Sequence, residues 1–276
     1  MPFTPLHAAA VLPFTRLPLV PSALVCGAMA PDMPYYVPLR SIWIHYNLTL
    51  THKASGLLLL NPLIALVLLV AFHGLAKRPL LALLPPAIAS RVLPAAEGFR
   101  PWDVRMLVAL PASLVIGAAT HVGWDSLCDV LGDSRSVPLG LLSDLVGGIV
   151  LLTWLRHRRR TTEPAPLPAG AVLDATPRRL TIALILVTAV VGGAVHVARN
   201  LPEVLDGLRE RGEMAFSPVA DFLVRGLAVA TVSTLAVSVG VYCLFWQIGR
   251  FSGVLPSVGT RPQSPLPTAE PVTSTR

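Results

Sequence analysis

Runs of about 20 predominantly apolar residues constrain this chain most, because a helix of that length is what a bilayer's hydrocarbon layer demands. Residues 55–76, 106–124, 138–155 and 180–198 are four such runs. A fifth, residues 222–248, is longer and holds Arg225 near its start, where the side chain can snorkel to the interface. Only 13% of the residues are charged, against about 25% in soluble domains, so the 276 residues are spent on spans rather than on soluble domains. The expected fold is all-α: a polytopic helical membrane protein with about five spanning helices and an N-terminal helical hairpin.

The hairpin is expected because HAAAVLPF and PSALVCGAMA are each about half the length of a crossing, with Pro13, Pro18 and Pro21 around the junction. Two short limbs with a turn near Arg16 would bring His7 and Asp32 to a similar depth. A single kinked span over residues 6–29 is the alternative. Residues 80–93, broken by Pro85 and Pro86, are too short to cross and suit the interface or a buried half-span. Residues 161–177 read as a Pro- and Ala-rich cytoplasmic linker. The division expected is a metal-site membrane domain at 1–160, this linker, C-terminal membrane helices at 178–250 and a disordered tail at 251–276.

The net charge of +7 and pI near 10 do not indicate nucleic acid, since the basic residues lie in loops rather than along one polar face. They report orientation. The loops holding Lys77 to Arg105 and Arg156 to Arg179, with the tail, carry most of the Arg and Lys and should be cytoplasmic. Trp102, Trp154 and Trp246 then mark the inner interface and Trp43 and Trp124 the outer one. Cys26, Cys128 and Cys243 form no C-x-x-C pair and imply no disulfide framework.

That topology gathers Asp32, His52, His121 and Asp125 at the outer level, joined by His7 only with the hairpin and not with the single kinked span, beside apolar segments where ionisable groups are costly and usually functional. Their types suit a metal ion. His121 and Asp125 are four apart and share one helix face, which lets them ligate one ion or simply hydrogen-bond to each other. Asp129 extends the same stripe. His52 follows Thr51 near a helix start, which disfavours a charged imidazole and would leave it neutral. It is otherwise an interfacial histidine. Asp32, between Pro31 and Pro34, is alternatively a turn-forming carboxylate. His45 and His196 fall on the same side, Asp144 lies inside the run 138–155, and His73, about 30 Å along its helix from His52, is excluded as a ligand.

In MPFTPLHAAAVLP, APDMPYY, Thr51-His52, Phe72-His73 and THVGWDS, in that order over about the first 130 residues, the chain resembles an uncharacterised family of bacterial membrane proteins. That family is similar to the inner-membrane metal-dependent hydrolases and, more distantly, to zinc-dependent phospholipase C. The resemblance implies a membrane-bound hydrolase of an ester or phosphodiester, in a bacterial cytoplasmic membrane, with His7, Asp32, His52, His121 and Asp125 as metal ligands. Cys128-Asp129 stands where the pattern has Thr-His, so Asp129 substitutes as a ligand or one metal position is lost. The donor set suits a divalent metal, zinc first. Asp125 or Asp129 is the expected general base, and a lipid is the expected substrate class from the depth of the site. A metal-ion or proton transporter, or a structural membrane protein with a degenerate site, is the rival reading.

Overall fold

The computed structural model describes residues 4–36, 48–99, 104–132, 137–212 and 216–253, and every regular element among them is helical. His45, Trp43, Trp102 and the tail from residue 254 lie outside the described residues. Helix α1 covers Pro21–Met29, α2 Gly56–Ala82, α3 Pro86–Glu97, α4 Met106–Gly132, α5 Val137–Thr161, α6 Ala175–Glu210 and α7 Phe216–Phe251. Four of these, α2, α4, α6 and α7, are long and apolar enough to cross a membrane. They take up four of the five expected runs. The remaining run forms α5, a continuous 25-residue helix that is not among those four; Asp144 sits in its body and Arg158, Arg159 and Arg160 at its end.

The N-terminal segment folds as a hairpin whose first limb is built from 3-10 turns, Thr4–Ala9 and Leu12–Arg16, rather than from an α-helix. Pro13 and Pro18 lack the N–H groups an α-helical limb would need. Arg16, Leu17 and Pro18 form an exposed tip, and α1 returns with Ala23, Leu24, Gly27 and Ala28 buried. The return limb is wedged between α2 and α4, where Val20, Ala23, Cys26, Ala30, Ala65, Leu69 and Leu114 make the central core.

Two glycines permit this wedge. A methyl group on Gly27 would collide with the Leu114 carbonyl, and one on Gly117 with the Leu24 carbonyl, so the α1 and α4 backbones touch there. Such small-residue contacts are how helices associate in lipid, where no hydrophobic gain drives them together. Gly192 and Gly193 play the same part for α6 against Thr234 and Thr231 of α7.

Helix α2 is interrupted by π turns at Gly56–Leu60 and Phe72–Ala76. Pro79 has no N–H for the carbonyl of Leu75, and Gln247 of α7 donates to that oxygen at 3.1 Å. The segment after α5 is not a free tether. Ala165 and Leu173 donate backbone hydrogen bonds to Ser90 and Ala82, and Leu167 and Val172 pack on Leu81, Ala89 and Leu93, so it straps α3 to the end of α2.

Candidate metal centre

Four segments distant in sequence meet at one end of the wedge. The first 3-10 turn brings His7, the turn after α1 brings Asp32, a 3-10 turn ahead of α2 brings His52, and α4 brings His121 and Asp125. His7, Asp32, His121 and Asp125 are buried, His121 completely, and His52 is half-buried at the rim.

The polar atoms converge. His121 Nε2 lies 3.5 Å from both Asp32 Oδ1 and Asp125 Oδ2. His52 Nε2 lies 3.6 and 3.5 Å from the same two oxygens, and His7 Nε2 is 3.9 Å from Asp125 Oδ1. These separations exceed the 2.7–3.2 Å of a hydrogen bond. The four separations of 3.5–3.6 Å match roughly the 3.3–3.6 Å expected between neighbouring donors that each sit about 2.0–2.2 Å from one tetrahedral zinc, and the His7 contact is longer. The groups His7, His121, Asp125 and Asp32, His52, His121 each have donors within 4.8 Å of one another.

Six buried polar atoms in this cluster have no hydrogen-bond partner: Nε2 of His7, His52 and His121, Oδ1 of Asp32, and both oxygens of Asp125. Each such group costs about 1–3 kcal/mol when left unsatisfied. A cation at their meeting point would satisfy them together, and three imidazole nitrogens with two carboxylates are a donor set that fits a divalent metal.

The outer contacts aim these atoms inward. His121 Nδ1 is 2.7 Å from the Ala28 carbonyl, so it must carry the proton and donate, which leaves the Nε2 lone pair for a ligand in the neutral ring. The Gly27 and Gly117 contact sets that distance by bringing α1 onto α4. Thr4 donates to Asp32 Oδ2 at 2.6 Å and, having spent its one proton, accepts from the Tyr36 hydroxyl at 2.7 Å. Asp32 Oδ1 is thereby left toward the histidines. The His52 turn is held by Asn61, which donates to the Thr51 carbonyl, and by Gly56, whose missing Cβ leaves room for the Leu50 carbonyl. The His7 ring stacks on His121 with centroids 3.8 Å apart.

Electrostatics follow from the same contacts. Burial works against charge on His52, but the Asp125 and Asp32 carboxylates outweigh it and lift its pKa to about 9. The helix start expected to keep this ring neutral is the weaker influence, because two carboxylates lie within 3.6 Å. Burial alone would raise Asp32, yet His121, His52 and Thr4 hold its carboxyl well below the usual range. His7, buried and beside His121, is pushed down to about 4.

Other candidates lie elsewhere. Asp129 is exposed and belongs to neither donor group, and His196 is exposed on α6. Among the described residues the structure therefore does not bring Asp129 to the place expected of a substitute ligand. His73 sits at the far end of α1, 3.0 Å from Ser22 Oγ and stacked on Phe99. The Lys77 ammonium can only donate to His73 Nδ1, so the ring presents Nε2–H to Ser22 and cannot take the hydroxyl proton. That pair is not an activated serine. Thr4, Tyr36 and Asn61 are the supporting residues that sequence reasoning missed; an Asn inside a leucine-rich run was the available signal for Asn61.

Residues 1–132 match the family described as a domain of unknown function, DUF4184. That stretch ends with α4 and holds all five residues of the cluster. No curated protein and no solved structure matches the chain.

Proposed function

We propose that this protein is a membrane-bound, metal-dependent hydrolase of an ester or phosphodiester, with His7, Asp32, His52, His121 and Asp125 holding a divalent ion, zinc first. The observation that carries the reading is the convergence of six buried, unsatisfied donor atoms at ligand-to-ligand spacing. A divalent ion there would supply Lewis acidity to a scissile carbonyl or phosphoryl group and acidity to a water. The two Asp125 oxygens face different partners, Oδ2 toward His52 and His121 and Oδ1 toward His7. One oxygen can ligate while the other takes a proton, so the general-base role falls to Asp125 rather than to exposed Asp129. The proton that Asp125 takes can then pass from it to the leaving oxygen.

The cluster lies at the opposite end of α1 from His73 and Ser22, in keeping with a site that opens to one side only. Transport would need donors continuing across the membrane. With α5 as a fifth crossing, this reading puts the protein in a bacterial cytoplasmic membrane with its C-terminus in the cytoplasm, and the excess of Arg and Lys in the loops from Lys77 to Arg105 and from Arg156 to Arg179 supports that side. The test is hydrolysis of a panel of phospholipids and soluble esters and phosphodiesters by the zinc-loaded protein beside His121→Ala. Turnover that is lost in the variant supports the reading. A loaded wild type that cleaves nothing on the panel contradicts it.

A further inference from the structure

An apolar groove of about 210 Å³ opens beside the cluster, between the N-terminal turn and α5. Leu6, His7, Ala9 and Ala10 form one wall and Ser143, Val146, Gly147 and Val150 the other, with Trp124 of α4 between them. The α5 positions are spaced i, i+3, i+4 and i+7, so they line one helix face over about 10 Å. Small residues on both walls make the slot narrow: a methyl group on Gly147 would lie 3.3 Å from Leu6.

Two features say what fills it. The face of α5 around the slot, with Leu142, Leu145, Ile149 and Val150 exposed, is an apolar surface of the kind that meets hydrocarbon. The polar groups are confined to one end, where His7 reaches the donor cluster and Trp124 Nε1 donates to Ser143 Oγ at 2.8 Å. A slot that is apolar along its length and polar at one end fits a chain carrying a polar head, and it has room for several methylene groups.

We propose that this groove seats one acyl chain of a bilayer phospholipid, with the ester end of the chain at His7 and its tail along Val146, Gly147 and Val150. The assignment rests on the hydrolase reading and gives it a substrate class. Because lipid outside is as apolar as the walls, the groove adds no transfer gain; it selects by width and sets the position of the head relative to Asp125 and His121.

The test reconstitutes the full chain in nanodiscs of phosphatidylcholine and phosphatidylglycerol containing a trace of phosphatidylcholine with a diazirine in one chain. Labelled peptides are mapped by mass spectrometry, and metal content is measured on the same samples. The expected result is labelling of residues 143–150 in excess over 184–191, a stretch with more exposed residues. Ala10→Phe and Val150→Phe should each abolish the excess while leaving metal content unchanged. Labelling no greater than on 184–191, or an excess that survives both substitutions, overturns the groove whatever the metal result. An excess in a wild type that cannot be loaded with metal overturns the substrate assignment and the hydrolase reading together.

Discussion

At the scale of single residues, the centre depends on how few hydrogen-bonding options each side chain has. Thr4 has one proton and gives it to Asp32, so Thr4→Val leaves Asp32 Oδ2 without its donor and frees the carboxylate to rotate. Metal affinity should fall roughly 10- to 100-fold, the usual effect of deleting an outer contact to a ligand, read by competition with a chelating dye. Thr4→Ser keeps the hydroxyl and should restore it. His52 supplies a pH signature. Its pKa near 9 in the ion-free state means the ring is charged at pH 7 and must lose that proton to ligate. Zinc loading at pH 7 should release a proton from this ring, seen as a buffer-dependent heat in calorimetry. Affinity should rise with pH up to about 9 and then level off. In His52→Gln this component of the release should vanish; an unchanged release would show that His52 is not displaced from its proton.

At the scale of elements, glycines place the side chains of the cluster. A Cβ on Gly117 has no room against the α1 backbone, so Gly117→Val should push α1 from α4, break the His121 to Ala28 contact and cost about 1–3 kcal/mol as overpacking does. The protein should then lose metal and melt earlier. Gly56→Ala should be narrower in effect, displacing the Leu50 to His52 turn while the core of α1 and α4 stays intact: metal retention falls and the melting temperature of the metal-free protein changes little. The His and Asp residues were legible because ionisable groups beside apolar runs stand out, and the four-residue spacing of His121 and Asp125 set their shared face. The hairpin was legible from its prolines. The 3-10 character of its first limb was not, since proline removes donors without saying which tighter turn replaces them. The role of the glycines was equally hidden, because close backbone approach depends on a partner helix that local sequence does not name.

For the whole molecule, the lengths of the apolar runs point to an all-helical membrane protein, and four helices long and apolar enough to cross appear at four of those five runs. The strap over residues 162–174 was not legible: its Pro-rich composition describes a linker equally well, and only packing on Leu81 and Leu93 shows that it is docked. The proposed orientation rests on charge asymmetry. Arg158 over Trp154 and Arg250 over Trp246 are the pairs expected at a basic interface, and a reporter fused after Arg250 should behave as cytoplasmic, fluorescent as a green fluorescent protein fusion and inactive as an alkaline phosphatase fusion. The reverse pattern would turn the centre to the cytoplasm.

The central claim is that five side chains from four separate segments hold one kind of ligand, a metal ion. Elemental analysis of detergent-purified protein tests it most directly, comparing wild type with His121→Ala and His52→Ala after zinc loading and removal of free metal. The account predicts about one to two equivalents in the wild type and loss in both variants, since each removes a donor from a shared shell. Wild-type protein that retains no transition metal after loading, or variants that hold as much as the wild type, would contradict it.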